Sequence, residues 1–382
     1  MIAKANRLQE VKEYYFSRKL REVRQLIAAG KPVINIGIGS PDLDPPQSVS
    51  RAMQHTIEQN HIHGYQSYQG LPELRAAISS FYKDHFHVTV NPENEILPLM
   101  GSKEGIMHIS MAFLNAGDIV LIPNPGYPTY ASVTKLLDAV PAYYDLTAEN
   151  NWFPNLEVLE KTDLSKVKIM WINYPHMPTG SKSTTEGLKR LVDFAKKHNI
   201  LLVNDNPYSF ILNDNPLSLL SIEGAKEVAL ELNSLSKTFN MAGWRVGMVL
   251  GSKEHITTVL QVKSNMDSGM FYGIQQGAIA ALESNEHWFE NLNILYKKRR
   301  VVAWKIADAL DCTYDKNTSG LFIWAKLPAG KAEEVADELL YNYNIFLAPG
   351  TIFGSNGEGY IRISLCVTEE ILTEVLERLS IK

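Results

Sequence analysis

Residues 234–247 read SLSKTFNMAGWRVG and bring two serines, a lysine and an arginine into one short stretch. Hydroxyl groups and a guanidinium are suited to hold a phosphate, whereas a lysine amine is suited to react with a carbonyl carbon. Ser234, Ser236, Lys237 and Arg245 therefore point to one ligand that carries both groups. Pyridoxal phosphate is such a ligand, although the two serines can equally serve as helix caps.

The composition indicates a folded protein that acts on small molecules. The chain has 382 residues, of which 45% are hydrophobic and 21% charged. These values are typical of globular proteins, and the length suggests about two or three domains. The net charge of -5 provides no basic excess for nucleic-acid phosphates, so we expect no nucleic-acid partner.

Cysteine usage and the N-terminus bear on the cellular compartment. Cys312 and Cys366 are the only cysteines, which is too few for a disulfide framework in a chain of this size. The first thirty residues carry charges every few positions and lack the apolar region of a secretory signal. No apolar run reaches transmembrane length. We therefore predict a cytoplasmic protein with no membrane partner.

The chain alternates short apolar runs with helical patterns. The spacing of apolar residues predicts a helix over 7–29 and another over 184–198, with a long charged helix over about 286–310. Strand-like runs rich in Val, Ile and Leu occupy 118–123, 166–173, 199–205, 227–234 and 245–251. This pattern predicts an α/β domain with a largely parallel sheet, followed by a smaller α+β unit. We place the large domain at 43–285 and the small one at 1–42 and 286–382.

Polar residues follow several of the predicted strands. Asp205 ends one strand and Tyr208 follows it, so both can face a ligand at the carboxyl edge of the sheet. An aspartate beneath a pyridine nitrogen would keep that nitrogen protonated, although Asp205 can also simply cap a turn. Upstream, Gly101 precedes a predicted helix start, where the backbone amides of Ser102 and Lys103 would meet an anion.

The ordered set of motifs resembles the class I/II aminotransferases, which belong to the fold type I superfamily of pyridoxal-phosphate enzymes. The motifs are GSPD (39–42), Tyr65 with GLPELR (70–75), GSKEG (101–105), NPGYPTY (124–130), MPTG (177–180), NDNPY (204–208), SLSKTFNMAGWRVG and RISL (362–365). Within the family, the chain is most similar to LL-diaminopimelate and aspartate-type enzymes. The resemblance implies a large domain with a mostly parallel seven-stranded sheet, a smaller α+β domain, and pyridoxal phosphate as cofactor.

The resemblance also implies roles for individual residues. Lys237 would bind the cofactor covalently and move the substrate proton, while Asp205 and Tyr208 would contact the pyridine nitrogen and the phenolic oxygen. Arg362 would bind the substrate α-carboxylate by a two-point fork, with the Gly39 backbone nearby. Tyr65 would reach the phosphate of the other subunit, which implies a homodimer with shared active sites. The remaining cofactor contacts would come from Gly101, Ser102, Lys103, Tyr127, Asn173, Ser234, Ser236 and Arg245.

One position departs from the family pattern. The residue before Pro-Thr-Gly is usually an asparagine that donates to the phenolic oxygen, and here it is Met177, which cannot donate a hydrogen bond. Asn173 lies four residues earlier. We predict that Tyr208 carries this contact alone, so that the bond between Lys237 and the cofactor holds its proton to higher pH than in relatives with the asparagine.

The expected reaction is transfer of an amino group from an L-amino acid to a 2-oxo acid, with an LL-diaminopimelate or aspartate-type donor favoured. Two alternatives use the same fold: a carbon-sulfur lyase, and a regulator that binds the cofactor without turnover. The sequence leaves the donor open, because Tyr14, Tyr15 and Phe16 can line an apolar pocket or pack in the core. The histidines at 61, 63, 85 and 87 lack nearby carboxylate or cysteine partners, so we predict no metal site.

Overall fold

The computed structural model describes residues 2–11, 13, 15–285 and 287–380. Tyr14, which belongs to the aromatic cluster noted above, lies outside the described residues. The helices are α1 Tyr15–Ala28, α2 Gln47–Ile57, α3 Pro72–Phe86, α4 Ser102–Phe113, α5 Pro128–Leu136, α6 Leu156–Leu159, α7 Thr185–His198, α8 Leu235–Thr238, α9 Lys253–Lys263, α10 Tyr272–Leu282, α11 His287–Ala309, α12 Ala332–Tyr343 and α13 Glu369–Ser380. The strands are β1 Ile34–Asn35, β2 Ile96–Leu99, β3 Ile119–Asn124, β4 Val140–Asp145, β5 Val167–Ile172, β6 Leu201–Asp205, β7 Ala229–Ser234, β8 Gly247–Gly251, β9 Thr313–Tyr314, β10 Phe322–Lys326, β11 Ile345–Phe346, β12 Ala348–Pro349 and β13 Tyr360–Ser364.

The central element is a seven-stranded sheet in the order β2-β8-β7-β6-β5-β3-β4. Strands β7, β6, β5, β3 and β4 pair in parallel, and β8 runs antiparallel to both of its neighbours. Strands β6 and β7 are buried along their whole length, as parallel strands covered on both faces must be. Because parallel strands end at the same edge, the residues that follow β5, β6 and β7 lie close together.

Two smaller sheets are built from the ends of the chain. Strand β1 pairs in parallel with β11, and β12-β13-β10-β9 form an antiparallel sheet. Strand β13 carries Arg362 opposite Trp324 of β10 and Ala348 of β12. The N-terminal segment therefore packs against the C-terminal quarter of the chain, and both segments reach the edge of the large sheet.

The mostly parallel seven-stranded sheet is confirmed, and so are the five predicted strands and the helix over 184–198. The first helix begins later than predicted, at Tyr15, after a separate three-ten turn over Asn6–Gln9. None of the residues in that turn is buried, so no apolar contact extends the helix back to residue 7. Strand β4 was not predicted because it is an edge strand whose residues are mostly exposed or half-buried, which weakens the apolar signal.

We propose to keep the division into a large domain at 43–285 and a small domain at 1–42 and 286–382. The buried clusters support it, since one core combines the first 36 residues with residues 292–379. Among the described residues, the large domain contributes few side chains to that core: Met177, Tyr208, Ile211 and Leu212 are buried in it, and Leu43, Tyr127 and Trp152 pack against it. Within the described part of the chain, no helix is long and apolar enough to cross a membrane.

The buried Arg299 of α11 provides a test of how the N-terminal segment is held. Its two terminal nitrogens donate to the carboxylate oxygens of Asp42 at 2.6 and 2.8 Å, and one of them also donates to the Leu365 carbonyl at 3.0 Å. Asp42→Asn leaves the buried guanidinium without its counter-charge, and we expect it to lower the free energy of unfolding by about 2 kcal/mol. Chemical denaturation measures this loss. Asp193→Asn, at an exposed position of α7, is the control, and equal effects of the two variants would contradict the prediction.

Candidate functional site

A cavity of about 670 Å³ lies where β5, β6 and β7 end. Most of the predicted site residues line it: Gly39, Ser102, Lys103, Tyr127, Asn173, Asp205, Tyr208, Ser234, Ser236, Lys237, Arg245 and Arg362. Gly101 adjoins the cavity through Ser102, whereas Tyr65 is 93% exposed and does not line it. The structure thus gathers residues that are spread over more than three hundred positions of the sequence around one space.

Lys237 lies on the short helix α8, which begins directly after β7. Its Nζ donates a hydrogen bond to the Gly39 carbonyl. Burial lowers the pKa of Lys237, and the nearby positive charges of Arg362 and Arg245 act in the same direction. A lower pKa increases the fraction of neutral amine, the form that attacks a carbonyl carbon.

Asp205 ends β6 and is buried at the inner wall of the cavity. One carboxylate oxygen accepts a hydrogen bond from the Tyr130 hydroxyl at 2.9 Å, while Oδ1 is buried and has no hydrogen-bond partner. Burial raises the pKa of Asp205 to about 7, against the opposing effect of the Tyr130 hydrogen bond. A buried carboxylate oxygen of this kind requires a donor from a ligand, because leaving it unpaired is costly.

Tyr130 was missed by the sequence reasoning. It lies on α5, three residues after Tyr127, and its ring stacks on Trp171 with the centroids 4.9 Å apart. The ring of Tyr127 meets it edge-on at 5.6 Å. The signal was present in the motif NPGYPTY, where two tyrosines at the start of a helix are three positions apart and so share a face.

A cradle for an anion lies at the N-terminus of α4. Gly101 has a φ of +94°, and a Cβ at this position would lie 2.1 Å from Nη2 of Arg245. A Cβ at Gly247 would lie 2.6 Å from the Ser102 amide nitrogen. Both glycines therefore leave the amides of α4 and the Arg245 guanidinium accessible, which is the arrangement that binds phosphate at helix N-termini. Burial lowers the pKa of Lys103, and the positive charge of Arg245 adds to the effect.

Ser234 is positioned for both of the functions that the sequence left open. Its Oγ accepts a hydrogen bond from the Ser236 amide at 3.3 Å and so caps α8. It also lines the cavity, as does Ser236. A capping role and a ligand-binding role are therefore compatible here, because the hydroxyl proton that the cap leaves unused can still be donated.

Arg362 is buried among aromatic rings. Its guanidinium carbon lies 3.9 Å from the centroid of the Phe322 ring, 4.6 Å from that of Phe353 and 5.6 Å from that of Phe16. Nη2 donates to the Gly37 carbonyl at 2.7 Å. The rings and the carbonyl fix the orientation of the guanidinium, which suits two-point binding of a carboxylate. Phe322 and Phe353 were not among the predicted site residues, whereas for Phe16 the sequence had left open a place in an apolar pocket or in the core.

Asn173 and Met177 lie side by side in the cavity wall. The Asn173 amide group donates to the Asp205 carbonyl and accepts from the Met177 amide at 2.8 Å. Both ends of the amide are therefore used by the backbone. The Met177 sulfur lies 3.4 Å from Nη1 of Arg362. That Tyr208 alone contacts the phenolic oxygen of the cofactor stays a prediction, and the engagement of Asn173 is consistent with it.

A second polar cluster lies behind the anion cradle. Among the described residues, Glu104, His108 and Asp267 place possible metal-ligating atoms within 4.8 Å of one another. Asp267 already accepts a hydrogen bond from the Lys263 ammonium at 2.8 Å, and this positive charge opposes a metal ion. The prediction that the protein has no metal site stays a prediction.

The cavity fits pyridoxal phosphate on two observations. The unpaired Oδ1 of Asp205 can accept from a protonated pyridine nitrogen, and the amides of α4 with Arg245 can bind the phosphate. Lys237 lies in the same cavity with its amine directed at the Gly39 carbonyl. Acceptor, anion cradle and amine are the three groups that the ligand requires.

Comparisons with known proteins agree with this assignment. The family described as aminotransferase class I and II matches residues 31–379. The chain is 39% identical to the LL-diaminopimelate aminotransferase of Aquifex aeolicus, with 98% of each chain covered, and 38% identical to that of Halothermothrix orenii, with 98% of this chain and 97% of the relative covered. Among solved structures, apo-BacF from Bacillus subtilis has a TM-score of 0.94 at 35% identity, covering 99% of this chain and 98% of that one. A single mutant of Thermus thermophilus aspartate aminotransferase has a TM-score of 0.92 at 26% identity, with 99% of each chain covered.

The raised pKa of Asp205 predicts a pH-dependent stability of the cofactor-free protein. The carboxyl group stays protonated up to about pH 7 in the folded state, but loses its proton near its ordinary value of 3.8 when unfolded. Its contribution to stability is therefore complete below about pH 4 and is lost as the pH rises through 7. Asp205→Asn removes the buried charge, and we expect it to stabilise the cofactor-free protein at pH 8 relative to pH 5, by up to about 3 kcal/mol.

Denaturant unfolding at pH 5, 6, 7 and 8 measures this difference for the original protein and the variant. Asp193→Asn, which changes an exposed carboxylate, is the control and should follow the original protein at every pH. If the difference in the free energy of unfolding between Asp205→Asn and the original protein stays constant from pH 5 to 8, Asp205 does not titrate in this range.

Proposed function

The chain belongs to the class I and II aminotransferase family and is a pyridoxal-phosphate-dependent aminotransferase, and we propose that the cavity at the ends of β5, β6 and β7 is its active site. Its substrates are small amino acids and 2-oxo acids. The observation that carries the assignment of the site is the unpaired oxygen of Asp205, buried in the same cavity as Lys237 and Arg362. The fold is that of fold type I enzymes.

When bound, the cofactor supplies a carbonyl carbon for the amino group and a ring that accepts the electrons released at the substrate Cα. Asp205 keeps the ring nitrogen protonated, and its own burial makes it depend on that partner. Tyr208, which is buried three residues after Asp205, donates to the phenolic oxygen. Ser102, Lys103, Ser234, Ser236 and Arg245 hold the phosphate, and Tyr127 packs on the ring.

Arg362 and Lys237 act on the substrate: the first binds it, and the second accepts its proton. Arg362 binds the substrate α-carboxylate, and its fixed guanidinium orients the substrate so that the Cα proton faces Lys237. Lys237 Nζ takes up that proton, and its lowered pKa favours the neutral amine that can accept it. Gly39 presents its carbonyl to the Lys237 amine and its backbone to the carboxylate.

The names of the relatives suggest a first candidate for the donor. The curated relatives above are named LL-diaminopimelate aminotransferases, and one of the solved structures is an aspartate aminotransferase. We propose LL-diaminopimelate or aspartate as the first donors to test. These names favour transamination over the carbon-sulfur lyase and the regulator that the sequence left as alternatives.

We further propose that the enzyme is a homodimer in which Tyr65 completes the active site of the partner subunit. Its side chain is 93% exposed and does not line the cavity of its own chain, so it is available to a second copy. Exposed Tyr68 and Ile57 lie near it in sequence, at 45% and 54% exposure, and Met266 is 57% exposed. Exposed apolar side chains of this size favour an interface. A cytoplasmic location stays a prediction from the two cysteines, which are free and buried.

The first experiment measures one half-reaction in the absence of any oxo-acid acceptor. The purified enzyme with bound pyridoxal phosphate is mixed with single amino acids, and we expect one equivalent of 2-oxo acid per active site, together with loss of the yellow absorbance. Lys237→Arg should abolish this release, whereas Lys253→Arg, at an exposed position of α9, should not. Continuous formation of pyruvate and ammonia from a sulfur amino acid would instead establish the lyase.

A second experiment tests the shared site. We expect Tyr65→Phe to weaken binding of the cofactor about tenfold, because one hydrogen bond to the phosphate is lost. Hybrid dimers that combine a Tyr65→Phe chain with a Lys237→Ala chain contain one intact site only if Tyr65 acts across the interface. At a cofactor concentration that saturates the original enzyme but not Tyr65→Phe, we expect the hybrid to recover about half of the normal activity per dimer. Activity no higher than that of a Tyr65→Phe site under the same conditions would place Tyr65 outside the partner's site. Tyr68→Phe serves as the matched control.

A further inference from the structure

Helix α1 forms part of the cavity wall next to the α-carboxylate site. Phe16, Ser17 and Leu20 line the cavity, and they lie within one turn of the helix, so they share a face. The Phe16 ring lies 5.6 Å from the guanidinium carbon of Arg362. A substrate whose α-carboxylate is bound by Arg362 therefore has α1 beside it.

The charged groups of the cavity are all accounted for by the proposed function. Among the described residues that line it, the charged side chains are Lys103, Asp205, Lys237, Arg245 and Arg362. Three of them serve the phosphate or the cofactor ring, one is the reactive amine, and Arg362 binds the α-carboxylate. Within one subunit, no further charge lines the cavity to pair with a carboxylate or ammonium on the substrate's side chain, and an unpaired charge is costly to bury.

Most of the surface near α1 that remains for the substrate's side chain is apolar, and Ser17 and Ser40 are its uncharged polar members. Leu20, Ile38 and Phe353 line the cavity together with Phe16 and Met177. These side chains offer dispersion contacts and no hydrogen bonds to a substrate. The cavity thus combines a carboxylate-binding arginine with an apolar region.

Helix α1 is anchored, so this region is formed before a substrate binds. Lys19, only 9% exposed, donates to Asp337 of α12 at 2.8 Å and lies 3.0 Å from Glu22. Tyr341 of the same helix donates to Glu22. Lys19 lies between Phe16 and Leu20 in sequence, so the anchor fixes the turn that faces the cavity. A preformed pocket avoids the ordering cost that a mobile helix would add.

We propose that this aminotransferase also accepts L-amino acids with large apolar side chains as donors, and that Phe16 and Leu20 of α1 form the side-chain subsite that selects them. The inference rests on the proposed function, since it concerns the same active site. It adds aliphatic and aromatic amino acids to the donors that the relatives' names suggest.

Two measurements test it on the enzyme with bound cofactor. The first is kcat/KM for L-leucine, L-phenylalanine, L-aspartate and LL-diaminopimelate with one fixed acceptor, and we expect the apolar donors to be used at least as well as aspartate. The second is calorimetric binding of two unreactive analogues: 3-phenylpropanoate, with one carboxylate and an apolar tail, and succinate, with two carboxylates. We expect 3-phenylpropanoate to bind at least tenfold more tightly.

Leu20→Arg places a positive charge in the subsite. We expect this variant to prefer aspartate over the apolar donors, and succinate over 3-phenylpropanoate, by about tenfold or more. Ile27→Arg introduces the same charge on the same helix at a position 49% exposed and outside the cavity, and should leave both ratios unchanged. Leu20→Ala, a smaller change, should weaken binding of 3-phenylpropanoate about tenfold without affecting succinate.

The outcomes separate this inference from the proposed function. The apolar subsite is overturned if the enzyme uses only donors with a charged side chain and the Leu20 variants do not change the ratio of analogue affinities. The aminotransferase function would still stand, and the charge that pairs with the donor's side chain would then come from the partner subunit. Release of 2-oxo acid from none of the donors overturns the proposed function itself. The inference is supported if the enzyme prefers apolar donors, if Leu20→Arg reverses that preference and if Ile27→Arg preserves it.

Discussion

The convergence of parallel strands at one edge of the large sheet is the constraint on which the site depends. Strands β5, β6 and β7 are adjacent and parallel, with Ile172 opposite Asn204 and Asp205 opposite Leu232. The strands are almost wholly buried, and the polar residues that line the cavity lie at or just after their carboxyl ends. Ligand sites in open α/β sheets generally lie at the carboxyl ends of the strands. This rule explains the positions of Asn173, Asp205 and the segment that carries Lys237.

Much of this edge could be predicted from the sequence because local patterns determine it. Apolar runs followed by polar residues mark the strand ends, and Asp205 and Lys237 were identified on that basis. Contacts between distant segments could not be predicted in the same way. The Tyr130 hydrogen bond to Asp205 joins helix α5 to the end of β6, and the rings around Arg362 come from three separate parts of the chain. No spacing in one sequence reports such proximity.

Burial is what makes these side chains reactive. Asp205 and Lys237 are both shifted toward their neutral forms by the loss of water, in opposite directions on the pH scale. The surrounding fold offsets part of the cost of burying these groups, because Tyr130 donates a hydrogen bond to Asp205 and the Gly39 carbonyl accepts one from Lys237. Gly39 can approach so closely because a Cβ there would lie 2.3 Å from the Phe322 ring, a space that no other residue could occupy without a shift.

The pairing of the two chain ends has a consequence for how the protein is made. Ile34 and Asn35 of β1 pair with Ile345 and Phe346, and Gly37 accepts its hydrogen bond from Arg362. During synthesis β1 leaves the ribosome before β11, so its strand partner follows about three hundred residues later. The large sheet, whose strands all lie between residues 96 and 251, can be completed earlier. The carboxylate site, which needs Arg362 beside the Gly37 carbonyl, therefore assembles after the large sheet.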